Sequence, residues 1–237
     1  MNPTPQPAEG KPSRTPVNRA LARLADSTDL RSVASRLRKR RFAFFQSLLD
    51  TLPAPVRILD VGGTQHYWRI IGPPDGERVQ VVLLNLVKPQ VSLPGFTSVI
   101  GDARAMTGVG DGEFDVVFSN SVIEHLGTAA DQKRMADEVR RVGRRYFVQT
   151  PNKHFPMEPH FLVPCFQYLP APARAWLLSR RPLGWQKKAS TYDEALQRVR
   201  TFRLLSRREL QRLFPEARLY RERFLGMEKS FVAYHGW

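Results

Sequence analysis

The apolar residues in the central part of the chain occur in short runs rather than in long stripes. Five runs of strand length follow one another after residue 54. None of them alternates strictly between apolar and polar positions, which is typical of strands buried on both faces of a parallel sheet. In chain order the runs are VRILDV, VQVVLLNL, FTSVI, FDVVFSN and RRYFVQT.

Helical periodicity appears around these runs. Between the fourth and fifth runs, DQKRMADEVRRV places Met135, Val139 and Val142 on one side of a helix. After the first run, GPPDG allows only a short helix. Near the end, Ser206 and Glu209 form a capping-box pattern, and two adjacent strands follow it. The pattern predicts an α/β fold built as a three-layer sandwich.

The predicted core has extensions on both sides. The first 28 residues are rich in proline and polar residues, which predicts disorder. A basic amphipathic helix follows, with its apolar face at Leu30, Val33, Leu37, Phe44 and Leu48. We therefore predict a tail (1–28), a helical extension (29–53), a core (54–152), an insertion (153–200) and a closing helix with its strand pair (201–237).

Composition narrows the class of protein. The net charge is +15, yet residues 51–150 carry equal numbers of basic and acidic residues, so the positive excess lies in the flanks. Such flanks attract nucleic acid, acidic lipid headgroups or phosphorylated substrates. The single cysteine, Cys165, excludes a disulfide framework and a cysteine-rich zinc site. No long apolar run or signal-peptide core is present, so we expect a cytoplasmic protein.

Polar residues and glycines follow several of the predicted strands. In an open parallel sheet, ligands bind beyond the carboxyl ends of the strands. A set of polar groups arriving together at one sheet edge is difficult to explain by packing alone. The set comprises Asp60, Gly62 and Gly63 after the first strand, Asn85 after the second, Asp102 in GDARAM after the third, Ser119 and Asn120 after the fourth, and TPNKHFPMEPH after the fifth.

These motifs resemble a known enzyme family. ILDVGG, GDARAM and above all DGEFDVVFSNSVIEHL are similar to class I S-adenosylmethionine-dependent methyltransferases of the type 11 kind, over about residues 54–152. The resemblance implies a Rossmann-like, doubly wound and mostly parallel seven-stranded sheet with an antiparallel C-terminal strand pair. It also implies S-adenosyl-L-methionine as the cofactor.

The resemblance assigns cofactor-binding roles residue by residue. Asp60, Gly62 and Gly63 would hold the methionine portion, Asn85 the ribose hydroxyls, Asp102 and Ala103 the adenine, and Asn120 the pocket floor. Two positions depart from the family pattern. Thr64 stands where a further glycine is usual, and Trp68 is expected to fill space that a longer helix would cover. Asn85 replaces the usual carboxylate, and its amide donates where a carboxylate only accepts.

Candidate catalytic residues lie near the predicted acceptor side. An oxygen or nitrogen acceptor that loses a proton gains from a nearby base. We name His125, His154 and His160 as catalytic candidates, with packing or surface roles as the alternative for each. Glu124, His125 and His160 could also bind a metal ion. Their spacing is not diagnostic, so the sequence predicts no metal site.

The insertion Phe161–Lys188 mixes aromatic residues, prolines and cations. It fits a lid over an apolar acceptor, an element at the surface of an acidic membrane, or a packed cap with solvated arginines. We expect a methyltransferase acting on an oxygen or nitrogen of a small or lipid-linked acceptor by in-line transfer. The alternatives are RNA methylation, which the charge favours and the absence of an NPPY-like motif opposes, and a non-catalytic membrane- or nucleic-acid-binding module on a degenerate core.

Overall fold

The computed structural model describes residues 32–237. The predicted tail (1–28) and Leu30 of the predicted helical extension lie outside the described residues. The first described element is helix α1 (Val33–Leu49), whose N-cap Ser32 accepts a hydrogen bond from the backbone N–H of Ser35. This side-chain cap satisfies one of the amide groups that the first turn of a helix leaves unpaired.

The sheet has seven strands. In chain order they are β1 (Val56–Val61), β2 (Val79–Asn85), β3 (Phe96–Ile100), β4 (Val116–Asn120), β5 (Tyr146–Pro151), β6 (Arg218–Phe224) and β7 (Met227–His235). Their spatial order is β3-β2-β1-β4-β5-β7-β6, in which β1 to β5 are parallel, and β7 runs antiparallel to both β5 and β6. The order reverses beside β1, so β1 and β4 flank the point where such folds bind ligands.

Helices cover both faces of this sheet. The remaining helices are α2 (Gln65–Ile71), α3 (Ala129–Val142), α4 (Ala171–Arg180), α5 (Tyr192–Arg200) and α6 (Arg207–Leu213), with short 3₁₀ turns at Ile123–Leu126 and Phe166–Tyr168. One core cluster joins α3 and α6 to one face of the sheet, and a second joins α1 and α2 to the other. The predicted α/β three-layer sandwich with its antiparallel C-terminal pair is confirmed.

Local sequence signals account for most element boundaries. Helix α2 has only seven residues and ends at Gly72, just before the prolines of GPPDG, as the sequence predicts. The predicted capping box of Ser206 and Glu209 is present at the start of α6. Strands β4 and β5 each begin two residues later than their apolar runs, because the residues before them belong to the connections.

Helix α1 buries a wider face than its spacing indicates. Phe45 and Leu49 are fully buried, whereas Phe44 and Leu48 of the predicted stripe are only half-buried. The reason is that α1 packs across several neighbouring strands on one face of the sheet, from β4 to β6. The ring of Phe45 packs on Phe118 of β4, and the ring of Phe44 stacks on Tyr220 of β6.

The residues after β5 form a small core of their own. Helices α4 and α5 pack together over buried apolar side chains that include Phe161, Phe166, Leu178 and Val199. Part of the predicted insertion is therefore a packed cap with its own interior. Within residues 32–237, no helix combines the length and apolar character needed to cross a bilayer.

Candidate functional site

A cleft of about 390 Å³ opens at the carboxyl ends of β1 to β4. This volume lies in the range of small-molecule sites, and the position is the one where doubly wound sheets bind ligands. The wall combines apolar and polar groups from five connections. It is lined by Gly62, Leu84, Asn85, Leu86, Val87, Gly101, Asp102, Ala103, Arg104, Val122, His125, Leu126, Gly127, Gln197, Arg200 and Thr201.

Both positions of the glycine turn after β1 require glycine, because a larger residue would clash with its neighbours. Gly62 has a φ of +74°, and a Cβ atom there would lie 2.7 Å from a methyl carbon of Val122. A Cβ atom on Gly63 would lie 1.7 Å from a carboxylate oxygen of Asp60. Only glycine lets the backbone pass this closely. The chain then turns directly into α2, because the side chain of Thr64 caps that helix.

Asp60 lies beneath this turn and does not line the cleft. Its carboxylate is buried, and its Oδ2 accepts a hydrogen bond of 2.7 Å from Nε1 of Trp68. Burial raises the pKa of Asp60 to about 7, and the Trp68 hydrogen bond opposes that rise. Trp68 is itself fully buried, and its ring contacts Phe42 and Phe118. The tryptophan thus fills the space under the glycine turn.

Asn85 and Asp102 lie on the cleft wall with their side chains oriented by local bonds. Nδ2 of Asn85 donates to the carbonyl oxygen of Gly63 at 2.9 Å, so its Oδ1 remains as the group that can accept. Asp102 is held by two hydrogen bonds from Nε and one from Nη2 of Arg104, between 2.6 and 3.0 Å. These bonds lower the pKa of Asp102 against the opposing effect of partial burial. Ala103 lines the cleft beside Asp102.

Asn120 ends β4 but does not reach the cleft wall. Its Oδ1 accepts a hydrogen bond of 3.0 Å from Nη2 of Arg41. The guanidinium of Arg41 also forms a buried ion pair with Glu222 of β6 at 2.8 Å. Sequence reasoning missed Arg41, although it occurs at the same helical spacing as Leu37 and Phe45, and that spacing marks the buried face of α1.

A cluster of titratable side chains adjoins the cleft on the side of the insertion. The ligand atoms of Glu124, His125 and His160 all lie within 4.8 Å of one another. His125 lines the cleft, and its ring meets that of His160 edge-on at 4.9 Å between centroids. Phe202 packs against both imidazoles, at 5.0 Å from His125 and 4.4 Å from His160. We call Glu124, His125 and His160 the histidine cluster.

Glu158 fixes the orientation of His160. Its Oε1 lies 2.8 Å from Nδ1 of His160, and its Oε2 accepts hydrogen bonds from the backbone N–H groups of His160 and Phe161. This use of Nδ1 leaves Nε2 as the free ring nitrogen of His160. Sequence reasoning missed Glu158, whose signal was its position two residues before a histidine in the loop after β5.

The members of the histidine cluster have strongly altered pKa values. Burial raises the pKa of Glu124 to about 7, against the opposing effect of His160. Burial, and then the proximity of His160, lower the pKa of His125 to about 3. Burial alone would lower the pKa of His160, but the nearby carboxylates of Glu158 and Glu124 outweigh this effect and raise it. Such departures are concentrated at functional sites.

His154 does not belong to the histidine cluster. It is exposed, and its Nδ1 lies 3.2 Å from the hydroxyl oxygen of Tyr168. The structure therefore brings together two of the three predicted catalytic histidines and leaves the third on the surface of the same loop. The far wall of the cleft comes from the end of α5, through Gln197, Arg200 and Thr201.

Two comparisons of sequence bear on this site. Residues 74–146 match the family model of a methyltransferase domain of the type 11 kind. An uncharacterized protein of Mycobacterium tuberculosis (strain H37Rv) is 36% identical over 67 residues, which is 28% of this chain and 23% of that protein. The match thus spans about a quarter of the relative's length.

Comparisons of structure agree on the fold. The chain is similar to 1,6-didemethyltoxoflavin-N1-methyltransferase of Burkholderia thailandensis, a structure with S-adenosylhomocysteine and 1,6-didemethyltoxoflavin bound, at 14% identity and a TM-score of 0.50 over 95% of this chain and 91% of that one. It is also similar to the CurJ carbon methyltransferase, at 11% identity and a TM-score of 0.50 over 80% of this chain and 51% of that one.

Proposed function

We propose that the chain is a class I S-adenosylmethionine-dependent methyltransferase, whose cleft binds S-adenosyl-L-methionine and directs the methyl group to an oxygen or nitrogen acceptor. The doubly wound sheet and the match of residues 74–146 to a methyltransferase domain support this proposal. One observation carries the proposal. The glycine turn, Asn85 and Asp102 converge on a single cleft at the carboxyl ends of adjacent strands, beside the histidine cluster.

The cleft offers a separate anchor for each part of the cofactor. Oδ1 of Asn85 is the acceptor for the ribose hydroxyls, since its Nδ2 is already bonded to Gly63. Asp102 and Ala103 form the adenine wall, because a carboxylate held by Arg104 still has lone pairs for an exocyclic amine. Gly62 lets the methionine portion approach the backbone. Asp60 and Asn120 support this binding from beneath the wall rather than by direct contact.

Methyl transfer requires alignment more than covalent help from the protein. The bound cofactor supplies a sulfonium with an activated methyl group. The chain's part is to exclude water and to align the acceptor with that methyl, which is worth several orders of magnitude in rate. The cap contributes Gln197, Arg200 and Thr201 to the cleft wall, and this placement supports an acceptor-side role for the predicted insertion (153–200).

The histidine cluster marks the acceptor end of the cleft. His125 belongs to both the cleft wall and the cluster, so an acceptor atom bound there lies beside the cofactor. At neutral pH the half-buried His125 is neutral and can accept a hydrogen bond from an acceptor O–H or N–H group. This placement supports catalytic roles for His125 and His160. For His154, the support is limited to its position in the same loop as His160.

The acceptor that best fits these surroundings is a small or lipid-linked molecule. Trp176, Tyr168 and Leu169 are exposed around the 3₁₀ turn and α4, close in sequence to the cations Arg180 and Arg181. Exposed aromatic side chains beside cations suit the surface of an acidic membrane. RNA methylation is the second candidate, and the observation that favours it is the net charge of +15.

Calorimetric titration with S-adenosylhomocysteine tests the proposal. Wild-type protein is expected to bind saturably, and Asn85→Ala to bind about tenfold more weakly because one hydrogen bond is lost. Gln90→Ala removes an exposed amide outside the cleft and serves as the matched control. Absence of saturable binding by folded wild-type protein, at millimolar ligand, would contradict the proposal.

A further inference from the structure

We propose that the histidine cluster is a binding site for one divalent transition-metal ion, held by Glu124, His125 and His160. Binding of the ion is inferred from the geometry alone, whereas its role in methyl transfer rests on the function proposed above. The carboxylate of Glu124 and the imidazole of His125, both in the 3₁₀ turn after β4, and the imidazole of His160, in the loop after β5, have their ligand atoms within 4.8 Å of one another. Nitrogen and carboxylate ligands in this ratio suit zinc and its first-row neighbours, and are unsuited to Ca²⁺ or Mg²⁺.

The carboxylate provides the first independent sign of a ligand. Glu124 is completely buried, and its Oε2 accepts a hydrogen bond of 3.0 Å from Oγ1 of Thr150. Its Oε1 is equally buried and accepts no hydrogen bond from any other described residue. A buried carboxylate oxygen without a partner is costly, and a cation between it and the two imidazoles would remove that cost.

The orientation of His160 provides the second sign. Its Nδ1 faces Oε1 of Glu158 at 2.8 Å, and Glu158 is itself held by two backbone N–H groups. A carboxylate on one ring nitrogen fixes the tautomer and leaves the other nitrogen, Nε2, as a basic ligand. This carboxylate–histidine arrangement is the usual outer shell of metal-binding histidines.

The dimensions of the cluster are within reach of a formed site. Zinc lies about 2.0–2.2 Å from nitrogen and oxygen ligands, so two ligands of one tetrahedral ion lie about 3.4 Å apart. No pair of ligand atoms here is more than 4.8 Å apart, so the widest pair must close by at most about 1.4 Å when the ion binds. Three protein ligands leave at least one coordination position open, as in catalytic rather than structural zinc sites.

The open position faces the acceptor end of the cleft, because His125 belongs to both. An acceptor hydroxyl that binds there gives up its proton to solvent water more readily, since a divalent cation stabilises the oxyanion. The oxygen lone pair then forms the new bond to the methyl carbon as the carbon–sulfur bond breaks, and that electron pair stays on sulfur. The cation thus selects acceptors with a hydroxyl or phenolic oxygen.

The test is a calorimetric titration of the full chain with Zn²⁺, after removal of metals with a chelator. We expect one saturable site per chain. Glu124→Gln, which keeps the shape of the side chain, and His160→Ala are each expected to weaken binding by at least about tenfold. His154→Ala and Cys165→Ser remove other accessible metal-binding groups and are expected to bind as wild type.

Several outcomes would overturn the proposal. These are no saturable heat with Zn²⁺, equal binding by wild type and Glu124→Gln, and loss of binding in Cys165→Ser. Circular dichroism of every variant establishes folding, and Glu124→Gln preserves the test if His160→Ala fails to fold. Because S-adenosylhomocysteine binding is measured separately, its failure would overturn the proposed function and leave the metal site standing, and the reverse holds equally.

Discussion

At the residue scale, the shape of the cleft depends on the glycine turn after β1 and on the carboxylate of Asp60 beneath it. The sequence predicted the place of Asp60, Gly62 and Gly63, because an apolar run followed by an acid and glycines is a local signal. It could not predict that Trp68 would bond that acid, since this contact depends on how α2 packs against the sheet.

Gly63→Ala is expected to destabilise the fold by about 1–3 kcal/mol, the usual cost of overpacking. The added Cβ would lie 1.7 Å from a carboxylate that Trp68 holds in place. Urea unfolding measures the change. Gly110→Ala, where the nearest atom would lie 3.7 Å away, is the matched control, and equal stability of the two variants would contradict the close approach.

Asp60 is expected to make stability depend on pH. The pKa of Asp60 is about 7 in the folded protein and 3.8 for an ordinary aspartate, as in the unfolded chain, so the folded state holds more protons between these two pH values. Stability therefore falls as pH rises from about 4 through about 7, by up to about 4 kcal/mol.

The substitution Asp60→Asn removes this titration while keeping an oxygen for Nε1 of Trp68. The variant should gain stability relative to wild type between pH 5 and pH 8, as measured by urea unfolding at several pH values. The exposed Asp193→Asn provides the comparison. Parallel pH profiles for wild type and Asp60→Asn would exclude the raised pKa.

At the element scale, α1 differs most from its sequence-based interpretation. Its dense positive charge predicts a basic surface helix, and several of its cations are indeed exposed. Arg41, however, is buried against Glu222, which lies 181 residues further along the chain. No local pattern reveals a partner at that separation. The boundaries of the predicted domains stay a prediction.

Arg41→Ala is expected to destabilise the protein by about 3 kcal/mol, because it leaves a buried carboxylate without its nearest cation. The cost stays at the lower end of the usual range, since Lys229 and Ser230 still contact Glu222. Arg40→Ala removes an exposed cation of the same helix as the control. A loss no larger than that of Arg40→Ala, measured by thermal or urea unfolding, would show that the pair does not tie α1 to β6.

At the scale of the whole molecule, sequence and structure agree on the architecture. Runs without alternation predicted buried parallel strands, and the carboxyl-end rule placed Asn85 and Asp102 on one wall. The sequence named Glu124, His125 and His160 as possible metal ligands but could not predict that they meet, because His125 and His160 belong to different connections that come together only when the cap folds over β4 and β5. Spacing along the chain carries no information about such a meeting.

The exposed aromatic residues of the cap are expected to contribute to the binding of acidic membranes. Trp176→Ala is expected to bind vesicles containing acidic phospholipid about fivefold more weakly, from roughly 1 kcal/mol of lost apolar burial. Trp176 is 54% exposed, and Arg180 lies over its ring. Sedimentation with acidic and neutral vesicles measures the effect. Val99→Ala, on the edge strand β3, is the control, and equal binding of the two variants would exclude this surface.

The most direct measurement is the NMR signal of S-adenosylmethionine carrying a ¹³C-labelled methyl group, recorded with the wild-type protein and either Co²⁺ or diamagnetic Zn²⁺. We expect the protein to shift the methyl signal and Co²⁺, but not Zn²⁺, to broaden it strongly, because His125 belongs to both the cleft and the histidine cluster. An unshifted signal would contradict cofactor binding, and a shifted signal that stays sharp with Co²⁺ would contradict a single site for methyl transfer.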